Sequence, residues 1–419
     1  MKYGYEKIRA RNRTSKMVSE STFRLCVLTL SVLSPFVVIV FVLTNAFASA
    51  DTVNAANSPG PRAVPTLQQL FILARHGNRG PIVTFPTFPY QSNNTDVWPY
   101  GEGQLTNRGR VQMYNLGMKF RSLYDGFLDE HFRQEDMLAQ STLVDRTMMS
   151  AAQFLAGLYP PKGFQVWNKD LMWQPIPIFI TEKDHTMMVP ISSSQTCPRF
   201  RQLQNESLIK YKNEHGSDIL AFLQKVQPYT GITIDPKSPT AAMNHIWESF
   251  FCADNEGLTL PAWTKSVYPE PMISIYDEIY KAYTIATDTM IRLLQGQLFQ
   301  EIIGFMGAKI NGTLEPNRRL YFYSGHDNTI KTVFGMLGLG DFGGIAKTGS
   351  ALILELHSGP QEGQHHVQVL YIDGGSKDLE PSFVNIPGCD FPCDFQLLSK
   401  MTEKYYNITD YESECQISP

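Results

Sequence analysis

The segment Leu73-Ala-Arg-His-Gly-Asn-Arg-Gly-Pro81 sets one histidine between two arginines, with a glycine beside it. Arginine is rarely buried without a partner, so two guanidiniums flanking an imidazole make poor core packing. Around a phosphoryl group they fit, because its oxygens match the planar guanidinium fork. The imidazole of His76 is then free to attack phosphorus while Arg75 and Arg79 hold the oxygens. The competing reading is a surface loop with solvated arginines and a neutral histidine.

Residues far along the chain could complete that chemistry. Arg146, in Val144-Asp-Arg-Thr147, offers a third guanidinium, and Gly325-His-Asp327 offers a second imidazole, His326, beside a carboxyl group. A phosphate monoester carries close to two negative charges near neutrality and needs several fixed cations. Its alkoxide leaves poorly unless protonated, so Asp327 is the candidate acid, and later the base that assists water. An acidic optimum is expected, because Asp327 must be protonated to donate. Taken alone, each residue has another reading. Asp327 would cap the helix after it, Arg146 would be a structural ion-pair partner, and His326 a satisfied core histidine.

The elements that must position these groups are partly visible. Leu70-Phe-Ile-Leu-Ala74 reads as a buried strand, with the first strand at Leu67–Ala74, and the glycine after it marks a sharp turn. Strand ends of open α/β sheets are where such folds present ligand-binding residues. Residues 105–124 set Met113, Leu116, Gly117, Phe120 and Tyr124 at helical spacing. A second helix is predicted over Thr147–Tyr159, stopped by Pro160-Pro161. Beyond about Gly163 the alternation of strands and helices is lost, and helical stretches such as Ser217–Gln227 and Ile273–Phe305 follow. Arg319–Ser324 resumes as a strand, with a helix from Asn328 through Leu337. Ala351–Leu356 and His366–Ile372 read as a hairpin around Gly359-Pro360.

Five ordered segments resemble the histidine acid phosphatase family, within the histidine phosphatase superfamily. Arg75-His-Gly-Asn-Arg-Gly-Pro81 is similar to its Arg-His-Gly-x-Arg-x-Pro signature, and Ile82–Pro89 to the stretch after it in the prostatic and lysosomal acid phosphatases. Gly103-Gln-Leu-Thr106 with Gly109, Val144–Thr147 with Ser150-Ala151, and Tyr323-Ser-Gly-His-Asp327 follow in the family's order. The likeness runs from about Leu67 to Cys415. It implies a three-layer α/β/α domain with a mostly parallel sheet, in two parts (67–162 and 313–419), and a mostly helical lobe (163–312) roofing the active site. It implies a phosphohistidine on His76, Asp327 as acid, and Arg75, Arg79, Arg146 and His326 binding phosphate. Bridges Cys197–Cys415 and Cys389–Cys393 come with it, as does a possible homodimer. Of the two other cysteines, Cys26 sits in the apolar N-terminal segment, and the family partner of Cys252 would fall near Ser350-Ala351, so Cys252 is expected free and buried. Two positions depart from the pattern: Gln140 stands where an arginine is usual, and Asn78 where an acidic residue is.

Composition bounds the rest. Apolar residues make up 43% of 419, ample for a core, and the formal charge is −4. Residues 1–24 hold a net +5, leaving −9 elsewhere, which gives no support for nucleic-acid binding. Residues 1–50, with basic flank, apolar centre Phe36–Leu43 and small-residue exit, read as a signal peptide or an uncleaved signal anchor. Residues 51–66 read as a flexible lead-in, and a membrane is involved only if the anchor is kept. Either way the globular part lies outside the cytosol, secreted or in the lysosomal or secretory lumen. Sequons at Asn93, Asn205, Asn311 and Asn407 suit that compartment. From spacing alone, Cys389 and Cys393 could close a tight loop, while a zinc reading lacks histidines at ligand distance.

No cysteine-arginine, Asp-x-Asp-x-Thr or Gly-Asp-x-His-Gly phosphatase motif occurs, and no HExxH spacing, so no cofactor or metal is expected. The substrate expected is a small phosphomonoester or a phosphoprotein. Narrower alternatives are an inositol polyphosphate, a lysophospholipid or a phosphosugar, and, in another class, an inactive secreted binding protein.

Overall fold

A computed structural model describes residues 61–180 and 197–417. The expected signal or anchor and residues 51–60 of the lead-in lie outside that span. The described residues all fall in one compact unit. Strand β1 (Leu67–Arg75) is followed by helix α1 (Asn107–Leu123), β2 (Met137–Ser141) and α2 (Asp145–Leu158). Four helices come next: α3 (Pro198–Thr230), α4 (Pro239–Glu256), α5 (Met272–Thr284) and α6 (Asp288–Ile310). The chain then returns through β3 (Leu320–Gly325), α7 (Asp327–Met336), β4 (Ala351–Ser358) and β5 (His365–Ile372). Short β6 (Ser382–Phe383) and β7 (Cys393–Asp394) precede α8 (Phe395–Tyr406) and α9 (Tyr411–Glu414).

The strands form one mixed sheet in the order β2-β3-β1-β4-β5-β6, with β7 also on β5. β2, β3 and β1 are mutually parallel, in register through Ser141↔Ser324 and Arg75↔Gly325. Their C-terminal ends therefore meet at one edge. β4 runs antiparallel to β1 and β5 antiparallel to β4, the expected hairpin. Ala351, the first residue of β4, lies opposite Ala74. The loop ahead of β4 thus arrives at that same edge.

Side chains of a strand alternate between faces, and β1 is covered on both, hence its near-continuous apolar run. Leu70, Ile72 and Ala74 pack with Met113, Phe120 and Phe154 of α1 and α2. Phe71 and Leu73 pack with Leu298, Phe299 and Ile330 of α6 and α7. Three layers result, and the α/β class holds. α1 and α2 cross at glycines: a Cβ on Gly117 would lie 2.0 Å from the Phe154 carbonyl oxygen, and one on Gly157 2.2 Å from that of Tyr114. That approach lets Phe154 stack on Phe322, with ring centroids 4.1 Å apart. Truncating such a buried phenylalanine costs about 3–5 kcal/mol.

A separate core joins α3, α4 and α5 around Leu223, Ile246, Phe250 and Tyr276. Phe85 and Phe88, a few residues past the histidine-arginine segment, insert into it. This core fastens the helices to the loop after β1. Disulfides link Cys197 to Cys415 and Cys389 to Cys393, and Cys252 is free and buried. Asn93, Asn205, Asn311 and Asn407 are all exposed. Among the described residues no helix is long and apolar enough to cross a membrane.

Candidate active site

The loop after β1 is held almost entirely by backbone groups. The Arg75 amide donates to the Ser350 carbonyl, 2.9 Å, and the His76 amide to that of Gly325, 3.0 Å. At Gly77 the chain passes so close to α1 that an added Cβ would sit 2.3 Å from the Gly109 carbonyl oxygen. No other residue fits there without moving that helix. The Gly77 amide donates to Ser150 Oγ and the Asn78 amide to Gln112 Oε1, both at 3.0 Å. Gln112 Nε2 in turn donates to the Thr348 carbonyl, 2.7 Å, bracing the loop before β4.

His76 is buried, and its Nδ1 lies 2.8 Å from the Gly77 carbonyl oxygen. A carbonyl can only accept, so Nδ1 carries the proton and Nε2 keeps its lone pair. Burial, then the charges of Arg146 and Arg75, hold this imidazole well below the usual histidine range. His76 is therefore a neutral imidazole whose free Nε2 is fixed in direction. The His326 ring stands edge-on to it, with centroids 5.5 Å apart. His326 Nε2 lies 3.1 Å from Thr142 Oγ1, and burial followed by Arg146 depresses its pKa to about 3.

The cations differ in their partners. Arg75 reaches Asp327 Oδ2 at 2.7 Å, donates to the Ala346 carbonyl, and lies over the Phe251 ring. Arg79 is gripped by Glu248, Nη1 to Oε1 at 2.6 Å and Nη2 to Oε2 at 3.0 Å. Arg146, from the first turn of α2, has no carboxylate partner among the described residues. Its Nε is buried without a hydrogen-bond partner. Burial, then repulsion from Arg79, lowers its pKa to about 10, so it stays charged.

Asp327 opens α7. Its Oδ1 accepts from the Tyr280 hydroxyl and, at 2.8 Å, from the Asn328 amide, which leaves Oδ2 to Arg75. Burial pushes this carboxyl up, but Arg75 and Tyr280 outweigh it, and the net shift is downward. In the unliganded site Asp327 is ionised. An anion that drew Arg75 away and added negative charge beside the carboxylate would raise its pKa.

His76, Arg75, Arg79, Arg146, His326 and Asp327 thus surround one point at the edge where β1 and β3 end. Two partners were not anticipated from the sequence, Glu248 and Tyr280. Glu248 did carry a signal, as the single carboxylate inside the apolar run Ile246-Trp-Glu-Ser-Phe-Phe-Cys252. Tyr280, in an ordinary amphipathic helix, carried none. The departures have contacts as well: Asn78 Nδ2 donates to Glu256, while Gln140 pairs in register with Tyr323 of β3.

A sheet edge that gathers a phosphoryl-directed histidine, three arginines and a carboxyl group defines a histidine-dependent phosphatase site. The chain belongs to the histidine phosphatase superfamily (branch 2), which it matches over residues 66–372. It is 33% identical over 378 residues to prostatic acid phosphatase of Bos taurus, covering 84% of this chain and 88% of that protein. It is 32% identical over 373 residues to lysosomal acid phosphatase of Homo sapiens, covering 87% and 84%. The solved structure of a Hafnia alvei phytase in complex with tartrate shares the fold, with a TM-score of 0.61 and 19% identity. That likeness covers 84% of this chain and 99% of the phytase.

Proposed function

We propose that this protein is an acid phosphatase that hydrolyses phosphate monoesters through a phosphohistidine on His76. The observation that carries the reading is the imidazole itself, with Nδ1 tied to a carbonyl and Nε2 left bare among three guanidiniums. Nε2 attacks phosphorus in line, and the bond from phosphorus to the ester oxygen breaks. That oxygen takes its proton from Asp327 Oδ2 and departs as the alcohol. Water then attacks the phosphohistidine, gives a proton to the Asp327 carboxylate, and releases inorganic phosphate with His76 restored. The arginines and the α7 N-terminus stabilise charge on the phosphoryl oxygens throughout, which is the main demand of phosphoryl transfer.

The acid phosphatases among its relatives support small phosphomonoesters as substrates. The phytase likeness speaks for the fold and leaves an inositol polyphosphate without specific support. A lysosomal or secreted location is favoured by the human lysosomal relative and by the two disulfides. We place the roof over the site in the segment 163–312, and N-terminal sequencing of the mature protein decides between cleavage near Asp51 and a retained anchor. A homodimer rests on the family resemblance alone, and sedimentation measures it.

The test is His76→Ala with an aryl phosphate at about pH 5, where loss of the nucleophile should lower kcat by about 10⁴-fold or more. Rapid acid quench of the wild type should trap phosphate on His76. Full turnover by the variant would refute the covalent route.

A further inference from the structure

The site holds more compensating charge than a phosphate-binding pocket needs. Both nitrogens of the Arg79 fork are occupied by Glu248, whose Oε1 also accepts from the Ile82 amide at 2.8 Å. Glu248 sits in the middle of α4, and the pair is buried, with Arg79 7% and Glu248 5% exposed. Arg75 is likewise paired, with Asp327. Three guanidiniums against two carboxylates leave a single net positive charge, located at Arg146.

The other groups facing Glu248 add nothing to that balance. From the loop after β1 His76 is neutral, and from the start of α7 so is His326. On α4 itself the Cys252 thiol, 3.6 Å from Arg79, is pushed by burial up to about 12. On α5 the phenols of Tyr276 and Tyr280 are pushed well above their usual value by burial. A phosphate ester is a monoanion in acid and loses its second proton near pH 6. A monoanion neutralises this pocket. A dianion leaves one uncompensated negative charge in a poorly solvated place, which is costly.

We propose that Glu248 is a specificity-determining residue that makes the site accept the phosphoryl group only together with one proton. Either the ester enters as the monoanion, or the dianion enters and Asp327 is protonated in the same event. The two routes give the same complex, and the proton it holds is the one the leaving oxygen takes. The acid preference of the reaction is then imposed at binding, by a carboxylate buried against Arg79. This deepens the phosphatase reading and rests on it. Its test needs binding without turnover, so the two can fail separately.

Inorganic phosphate and sulfate are the probes, the second being a dianion at every pH used. Calorimetry of the wild-type chain in buffers of different ionisation enthalpy should find about one proton taken up per phosphate bound at about pH 8.5, where free inorganic phosphate is almost wholly the dianion. Phosphate should bind the wild type about tenfold or more weakly there than at about pH 5. Glu248→Gln removes one negative charge, so sulfate should bind it about tenfold more tightly, and the pH dependence for phosphate should largely vanish. Glu248→Asp keeps the charge at a disturbed geometry and should keep the wild-type pH dependence. Binding of phosphate to the wild type without proton uptake overturns the proposal, whether or not the variants fold. So does a pH dependence that Glu248→Gln leaves intact or that Glu248→Asp abolishes.

Discussion

The ends of β1 and β3 and the helices α4 and α5 contribute to the same site in different ways. The strand ends carry the residues to which we assign the chemistry: His76 and Arg75 from one, His326 and Asp327 from the other. They are fixed by backbone hydrogen bonds and by a glycine contact that tolerates no side chain. The helices α4 and α5 carry none of those residues. They bring Glu248 to Arg79 and Tyr280 to Asp327, and so decide how much charge each group presents and which oxygen is free. Reactivity and its tuning are thus separated in the chain as well as in space.

That division predicts losses of different kinds on its two sides. Asp327→Asn, on the strand side, removes the proton donor and should lower kcat by about 10²–10⁴-fold. The loss should be greater for an alkyl phosphate than for an aryl phosphate, whose leaving group needs less protonation. Equal losses for both would show that Asp327 acts through Arg75 and not as the acid.

Tyr280→Phe, on the helix side, should spare binding and alter protonation. Removing a donor to the carboxylate destabilises its charged form, so the folded pKa of Asp327 rises. The alkaline limb of the kcat profile should then move upward by about half a pH unit to one unit, a unit being about 1.4 kcal/mol. The plateau should fall about threefold to tenfold as Oδ1 loses its tether, with KM little changed. A uniform drop with an unmoved limb would reduce Tyr280 to packing.

Asn78→Asp tests the seam between the two regions and should have the smallest effect. The Asn78 side-chain Nδ2 donates to Glu256 Oε2, which also accepts from Thr106 Oγ1 at 2.8 Å. A carboxylate in its place faces another, so one member of the pair acquires a raised pKa. The variant should lose about 1–2 kcal/mol of stability above that raised pKa and regain it as the pH falls through it, read from melting temperatures across pH. A constant deficit at every pH would mean that only the amide's geometry matters.

Legibility followed the same boundary. The apolar run of β1 and the glycine after it were plain in the sequence, because that strand is covered on both faces and ends in a turn few residues permit. β2 was not read at all. Its five residues, Met137–Ser141, are too short to show a period, and only pairing with β3 makes them a strand. Ile273–Phe305 read as one helical stretch but breaks after Thr284, where Thr287 Oγ1 accepts from the Met290 amide and starts α6. A cap residue inside an apolar pattern was the missed signal.

By itself the sequence determined which groups could do chemistry, since a histidine between arginines and a later His-Asp pair have few other uses in that order. It also determined the strands that carry them, because burial on both faces leaves a near-continuous apolar run. The tertiary structure alone decided the charge those groups bear. Glu248 lies 169 residues from Arg79 and Tyr280 47 from Asp327. Electrostatic interactions depend on distance in space, which the order of the residues does not encode.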